Sequence, residues 1–284
     1  MGELVYTSVF KNNSLIIFDA LADDELQTGA RLESDVSDFS NSLNRFNYCT
    51  RHRIRSHKQF VATFMALELE CRSGVTKPVL HFECHGDTEK GLLIAASGEY
   101  VPWPELVERI SVINAVTVNN TGVVLAACYG FEISKLVRFE EPCPFHFVLG
   151  PENEVDAGYL QDSMIVFYRT VIATGDLNKG MVHLDQKYKR FICSQWFYTS
   201  LASVMVSNFK GKNKEAFINK LIDSQVQKAG YSNRELVRGF RKRAKEYIRS
   251  PVSMFQYFSR TFMHNQPAVS YRDFRAFIDG YNPP

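Results

Sequence analysis

Several features that would assign the chain to a special class of protein are missing from its sequence. No run approaches the ~18 apolar residues of a membrane-spanning helix, and residues 1–6 lack the basic start and apolar core of a signal peptide. The sequence has neither a Walker-type nor a dinucleotide-binding glycine loop, so nucleotide hydrolysis is not indicated. The six cysteines are scattered without CxxC pairs, which predicts free thiols in a reducing compartment. We therefore expect a cytoplasmic protein that needs no cofactor and binds no membrane.

Positive and negative charges are unevenly distributed along the chain. The 284 residues carry a formal net charge of +2, and 45% of them are hydrophobic, which suffices for a buried core. Residues 210–249 contain twelve Lys and Arg against four Asp and Glu, so this segment carries +8. The remainder of the chain sums to −6. This asymmetry indicates that the C-terminal part presents a different kind of surface from the rest.

Strand and helix patterns alternate over the first two thirds of the sequence. Apolar runs predict strands at 14–19, 49–55, 78–84, 91–95, 99–101, 122–127 and 145–149. Helical spacing predicts helices at 32–46, 57–72, 104–115 and 155–174. Such alternation is typical of a mostly parallel sheet covered by helices on both faces. From about residue 191 the sequence predicts helices alone, so we expect one domain over 1–190 and a helical region over 191–284.

Two short motifs each end an apolar strand on a reactive side chain. HFECHG, at residues 81–86, presents His85, and LAACYG, at residues 125–130, presents Cys128. If both runs are parallel strands, these side chains project from the C-terminal edge of one sheet, where open α/β sheets place their chemistry. Gly86 and Gly130 lie just beyond them and would let a peptide backbone approach closely. The pair is the minimal set for a cysteine-nucleophile hydrolase; the alternative is a buried core thiol and a loop histidine.

These motifs resemble the catalytic blocks of the caspase-like (clan CD) cysteine proteases, most closely those of the bacterial CHAT-type branch. His85-Gly86 matches the cHG block of that branch, and residues 125–130 match its L-[SA]-A-C-x-G block. Downstream, residues 147–156 resemble its last core strand and loop, and residues 167–177 resemble the following helix. The resemblance covers roughly residues 14–187. It implies a caspase-like three-layer sandwich with a mostly parallel central sheet, to which this chain adds its helical C-terminal region.

The resemblance also implies a function, that of a cysteine endopeptidase acting on protein substrates. Cys128 would be the nucleophile, and His85 would help to form the thiolate and then protonate the leaving amine. Backbone N–H groups of Gly86 and Cys128 would hold the oxyanion. Such proteases serve bacterial signalling or antiviral defence and stay off until a regulatory protein or a small anionic nucleotide engages them. Many relatives dimerise, so a homodimer is a further expectation. The alternative is a non-catalytic caspase-like scaffold or ligand-binding module that has kept the fold.

Acidic residues near the end of the first predicted strand are candidates for substrate binding. Asp19, Asp23 and Glu25 are predicted to line a pocket that favours a basic P1 side chain. The alternative is a set of solvated loop carboxylates, because such residues are mostly exposed.

The densest basic cluster of the chain, Arg241, Lys242 and Arg243, is a candidate for binding a ligand or a partner. The alternative is a solvated helical face, since Glu235 and Glu246 are interleaved with the basic residues. The recognised nucleic-acid-binding motifs are missing, so nucleic acid is not an expected partner.

Cysteine and histidine occur close together at Cys143 and His146, which raises the question of zinc. Structural zinc ligands usually come as pairs on tight turns, whereas the His and Cys residues here are spread along apolar strands. We therefore expect no metal site.

Overall fold

Strands and helices alternate along the first two thirds of the chain, and further helices follow. The computed structural model describes residues 10–155, 161–184, 186–208, 211–249, 251–279 and 281. The strands are β1 (Ser14–Asp19), β2 (Cys49–Arg53), β3 (Pro78–Glu83), β4 (His85–Asp87), β5 (Gly91–Ile94), β6 (Glu99–Val101), β7 (Gly122–Ala126), β8 (Phe147–Pro151) and β9 (Tyr188–Ile192). The α-helices are α1 (Thr28–Ser42), α2 (His57–Arg72), α3 (Trp103–Val116), α4 (Gln161–Thr174), α5 (Leu177–Met181), α6 (Cys193–Asn208), α7 (Gly211–Ala229), α8 (Arg234–Arg249), α9 (Pro251–Phe262) and α10 (Tyr271–Asp279). A 3-10 helix spans Gly130–Leu136.

The central sheet has six strands in the order β2-β1-β3-β7-β8-β9. The first five are parallel to one another, and β9 pairs antiparallel with β8 at one edge. A separate antiparallel sheet, β4-β5-β6, is inserted in the chain between β3 and α3. The protein is therefore a mixed α/β fold built on a mostly parallel sheet, which confirms the fold class predicted from the alternating patterns at this coarser level.

Helices pack on both faces of the central sheet. On one face Leu15 of β1 belongs to a buried cluster that includes Leu32 of α1 and Phe167 of α4. On the other face Phe18 of β1 stacks on Phe64 of α2, with ring centroids 4.8 Å apart. Odd and even positions of β1 reach opposite faces because side chains alternate along a strand. This double burial explains why the strand reads as a continuous apolar run, and the arrangement is compatible with a three-layer sandwich.

Helix α2 has the predicted bounds, α3 extends one residue beyond them at each end, and α1 and α4 differ by more. Helix α1 spans Thr28–Ser42 rather than 32–46, and Asn44 follows it with φ 58°. Asparagine tolerates this left-handed conformation, which stops a helix. Helix α4 begins at Gln161, whereas the prediction starts at residue 155; residues 156–160 lie outside the described part of the chain.

Strand β9 is not predicted by the sequence pattern. Tyr188 and Phe191 are buried, while Lys189 and Arg190 between them are exposed. Two adjacent charged residues break the strict alternation of a half-buried strand, so pairing with β8 gives this segment its conformation. The helices that the sequence predicts from about residue 191 begin at Cys193, directly after β9.

The chain divides into two compact units, and the break lies between Cys193 and Ser194. The first unit contains the sheets. The second consists of helices and has a core of its own, in which Tyr198 of α6 stacks on Phe255 of α9 with ring centroids 5.8 Å apart. The hydroxyl oxygen of Tyr198 also accepts a hydrogen bond from the backbone N–H of Ala268 at 3.2 Å. Among the described residues, every helix is too short or too polar to span a lipid bilayer.

Candidate active site

The two motifs lie on neighbouring parallel strands. Strand β3 pairs with β7 in a register that sets Glu83 opposite Ala126. His85 follows Glu83 by two positions, and Cys128 likewise follows Ala126 by two. Both therefore lie just beyond the same edge of the sheet. Adjacent strands are separated by only ~4.8 Å, which brings the two chain segments together. This is the edge at which parallel α/β sheets place ligands.

His85 and Cys128 line one small cavity at this edge. The cavity has a volume of about 50 Å³. Its lining includes Glu83, Cys84, His85, Ala127, Cys128 and Val155. Ligand pockets for drug-sized molecules measure roughly 300–1,000 Å³, so this cavity is much smaller than such a pocket.

Cys128 lies in the turn between β7 and the 3-10 helix. The next residue, Tyr129, has φ 59°, a left-handed conformation that is rare for a side chain of this size. The half-buried Cys128 contacts Val155: the Val155 backbone N–H donates to Sγ at 3.4 Å, and the thiol donates to the Val155 carbonyl oxygen at 3.7 Å. The N–H donor is the contact that would stabilise a thiolate. Within the described residues, the backbone N–H of Cys128 itself donates no hydrogen bond.

The two glycines beside the candidate pair are packed against the protein's own chain. A Cβ atom at Gly86 would overlap the carbonyl oxygen of Cys128, and one at Gly130 would come within 2.6 Å of the Leu125 Cβ. The sequence predicted that these glycines let a substrate backbone approach. In the structure, the atoms that approach them closely belong to the protein itself. The glycines' lack of a side chain allows β4 to pack against Cys128 and the 3-10 helix to begin against Leu125 of β7.

Glu25 is paired with the candidate histidine. It lies in the loop after β1, and its Oε1 accepts from His85 Nε2 at 2.5 Å. The Ala22 backbone N–H donates to the other carboxylate oxygen at 2.5 Å. The hydrogen bond from the Ala22 N–H, and to a smaller extent the one from His85, hold the pKa of the Glu25 carboxyl below its usual range. Sequence reasoning selected Glu25 as a pocket residue, and the structure instead places it as a partner of His85.

The other two residues predicted for an acidic pocket are each bound by arginines. Fully buried Asp19 pairs with Arg51 and Arg53, both at 2.8 Å. Exposed Asp23 pairs with Arg53 at 2.7 Å and with Arg55 at 2.9 Å. Hydrogen bonds from Arg55 and Arg53 lower the pKa of Asp23. The charges of these two carboxylates are therefore balanced by arginines of the protein itself. Among the described residues, Asp19 and Asp23 do not form an unpaired acidic pocket with Glu25.

A buried polar network, which the sequence analysis missed, adjoins the cavity. His81 Nε2 lies 2.9 Å from Glu83 Oε1, and its Nδ1 lies 2.8 Å from the Tyr168 hydroxyl. The Thr28 hydroxyl donates to the other Glu83 oxygen at 2.7 Å. The signal in the sequence was the His-x-Glu spacing on one strand, because alternate residues of a strand share a face. Glu83 therefore reaches the cavity with both carboxylate oxygens already hydrogen-bonded.

Four of the chain's other thiols lie in surroundings that raise their pKa. Burial raises the pKa of Cys49 and Cys71 to about 12. It raises the pKa of Cys84 and Cys193 well above the usual thiol range. These four thiols are protonated near neutral pH and are poor nucleophiles, because the thiolate is the reactive form. Cys84 lines the same cavity as Cys128, yet only 5% of its surface is exposed.

The three basic residues predicted for ligand binding lie on α8, in the second unit. Arg241 donates to Asn219 at 2.8 Å and lies 3.9 Å from Glu215. Lys242 and Arg243 are exposed. Among the described residues, no three His, Cys, Asp or Glu side chains are grouped so that they could hold a metal ion.

The chain matches no protein-family model, and no curated protein gives a significant match. The structural findings are a mixed α/β fold with a mostly parallel six-stranded sheet, and a His–Cys pair around one cavity at the edge of that sheet. A histidine and a partly exposed thiol placed in this way have the components for nucleophilic attack on a carbonyl carbon.

Proposed function

We propose that the chain is a caspase-like cysteine endopeptidase with Cys128 as the nucleophile and His85 as the acid–base residue. One observation carries the proposal. The parallel pairing of β3 with β7 brings the ends of the two motifs together, so that His85 and Cys128 line the same cavity. The motifs are 43 positions apart in sequence, and adjacency of their strands in the sheet is what a working pair requires.

In the proposed reaction the Cys128 thiolate attacks the carbonyl carbon of a peptide, forming a C–S bond and a tetrahedral oxyanion. The backbone N–H groups of Cys128 and Gly86 hold that oxyanion, an effect of about 3–4 kcal/mol for each well-placed donor. The intermediate collapses, the C–N bond breaks, and His85 donates a proton to the leaving amine. Water then attacks the thioester with His85 as the base, which releases the carboxylic acid and restores the thiol.

Glu25 is the positioning residue of this proposal. Its carboxylate accepts from Nε2 of His85, so Nδ1 is the ring nitrogen that remains for proton transfer. A carboxylate next to the imidazole also stabilises the positive charge that the ring acquires when it takes a proton. The His85 side chain is half exposed, which limits the energy of this pair through solvent screening.

A second candidate, a non-catalytic scaffold with the same fold, is favoured by the size of the cavity. A volume of about 50 Å³ does not accommodate a substrate side chain together with its backbone. A protease with this site would bind its substrate over the exposed side of the cavity or widen it, whereas a scaffold has no such requirement. Widening of the site is a step that a regulatory protein or a small anionic ligand could control.

Cleavage of a peptide library that spans all P1 residues tests the proposal. The full-length chain is compared with Cys128→Ala and His85→Ala, and Cys49→Ala serves as a control thiol variant. The assay is repeated with candidate nucleotide activators. We expect cleavage by the wild type and by Cys49→Ala, and its loss in both site variants. Cleavage that survives in Cys128→Ala contradicts the proposal, and a wild type inactive under every condition supports the scaffold.

A further inference from the structure

The second unit contains a cavity that is independent of the His–Cys pair. Helices α7, α8 and α9 surround a space of about 200 Å³. Its walls are mostly apolar and aromatic, and they include Phe217, Leu221, Phe240, Met254, Tyr257 and Phe258. Beneath it, a buried cluster that includes Ile218 of α7 and Ile248 of α8 joins these two helices. The cavity is thus a mostly aromatic space between three helices that is partly open to solvent, and Gln225 and Arg243 add polar groups to its described lining.

Among the described residues, one cation lies at this apolar cavity. Arg243 is part of its lining, and the guanidinium carbon lies 4.9 Å from the centroid of the Phe240 ring. Within the described residues, Arg243 forms no ion pair with a carboxylate. A guanidinium stacked on an aromatic ring keeps its N–H donors in a fixed plane, which suits two parallel hydrogen bonds to an anionic group.

The two basic residues that precede Arg243 in the sequence lie outside the cavity lining. Arg241 is hydrogen-bonded to Asn219 and lies near Glu215, and neither Arg241 nor Lys242 lines the cavity. Arg243 is the single cation of the described lining, which suits one anionic group, whereas a polyphosphate would call for several.

We propose that this cavity binds a small amphipathic monoanion, with its apolar body among the aromatic side chains and its anionic group on Arg243. Burial of the apolar body gives most of the affinity, because the hydrophobic contribution scales with the area removed from water. The charge-assisted bonds to Arg243 select an acid over its uncharged analogue. The site is assigned from the second unit alone and does not depend on the proposed peptidase activity.

Two fluorescent probes that share one aromatic body test the site in the full-length protein. The first is 8-anilinonaphthalene-1-sulfonate, which carries a sulfonate, and the second is N-phenyl-1-naphthylamine, which has no charge. Each is titrated into the wild type and into Arg243→Gln, Lys242→Gln and Arg243→Lys. Lys242→Gln is the matched control, because it removes an exposed charge from the adjacent position, outside the cavity lining.

We expect Arg243→Gln to weaken sulfonate binding at least fivefold and Lys242→Gln to change it by less than twofold. Arg243→Lys should retain part of the affinity, and the uncharged probe should bind all variants equally. Equal effects of Arg243→Gln and Lys242→Gln would mean that the probe senses only the general charge of the helix, which overturns the proposal. Equal loss of both probes in Arg243→Gln would also overturn it, since the arginine would then be shaping the cavity rather than binding the anion.

Discussion

Gly86 packs directly against the main chain of Cys128. A Cβ atom at position 86 would overlap the Cys128 carbonyl oxygen and would lie 3.0 Å from its carbonyl carbon. Gly86 follows His85 on β4, so this contact joins the histidine segment to the cysteine turn through backbone atoms. Because backbone atoms meet on both sides, neither segment can move easily to make room for a larger residue. The relative placement of the two motifs therefore depends on glycine having no side chain at position 86.

Replacement of Gly86 by alanine should therefore damage the site and destabilise the fold. The added methyl group forces the Cys128 turn to move, and we expect a loss of roughly 1–3 kcal/mol in the free energy of unfolding. Gly239→Ala on α8 is the matched control, because an added Cβ there has no neighbour within 4 Å. That control should be neutral or up to about 1 kcal/mol more stable, since alanine favours a helix. Chemical denaturation measures both, and equal stabilities for Gly86→Ala and the wild type would show that the close packing is absent.

Replacement of Glu25 by glutamine should lower kcat while leaving KM nearly unchanged. The amide oxygen still accepts from His85 Nε2, but the negative charge that supports the protonated ring is lost. We expect a fall in kcat of roughly 10- to 100-fold. A value nearer 10-fold is expected, because solvent screens the partly exposed Glu25–His85 pair. Glu25→Asp should restore part of the rate. Asp23→Asn is the control from the same loop, because Asp23 pairs with Arg53 and Arg55 instead. An equal fall in kcat for Asp23→Asn would argue against a specific role for Glu25.

Stability should fall as the pH is lowered from about 6.5 towards 4, in part because of His146. Burial lowers the pKa of His146 to about 4, while its Nδ1–H donates to the Asn119 carbonyl oxygen at 3.0 Å. An unfolded histidine titrates near ~6.5, so below that pH the unfolded chain binds a proton that the folded protein excludes. The contribution is fully present above pH ~6.5 and is lost progressively towards pH ~4, and it amounts to about 3 kcal/mol at most.

Denaturant titrations over this pH range compare the wild type with His146→Gln, which is neutral throughout. The variant should be less stable at pH 7.5, because the stacking of His146 on Phe10 is altered. Its stability should nevertheless depend less steeply on pH between 6.5 and 4. Parallel profiles for the two proteins would rule out His146 as the source of the acid sensitivity.

Much of the sheet was predictable because its parallel strands are buried on both faces. The runs that end at His85 and Cys128 are continuous apolar segments, and such segments indicate interior parallel strands. Parallel strands joined by a crossover tend to lie side by side or nearly so, and β3 and β7 pair directly. Helix α2 was predictable for a similar reason, since Phe60, Phe64, Leu67 and Cys71 lie on one face of it and are buried.

The contacts that define the site were not predictable, because they form between loops with no periodic pattern. Glu25 meets His85 across 60 positions of sequence, and that contact depends on how the β1 loop folds back. The apposition of Gly86 and Cys128 likewise follows from the small β4-β5-β6 sheet, whose first strand the sequence does not reveal. Strand β9 has too few alternating residues to be recognised alone and forms only because β8 offers an edge.

Alkylation by iodoacetamide measures whether His85 activates Cys128 as a nucleophile. This reagent is far smaller than a peptide, and Cys128 is only half buried beside the half-exposed His85, so the test does not require the site to accommodate a substrate. The full-length chain and His85→Ala are labelled at pH 7.5, and mass spectrometry follows the rate at each of the six cysteines. We expect Cys128 to react at least tenfold faster than any other thiol and to lose this advantage in His85→Ala. A Cys128 rate that is no faster than that of the other thiols, or one that is unchanged in His85→Ala, would contradict the proposed activation of Cys128.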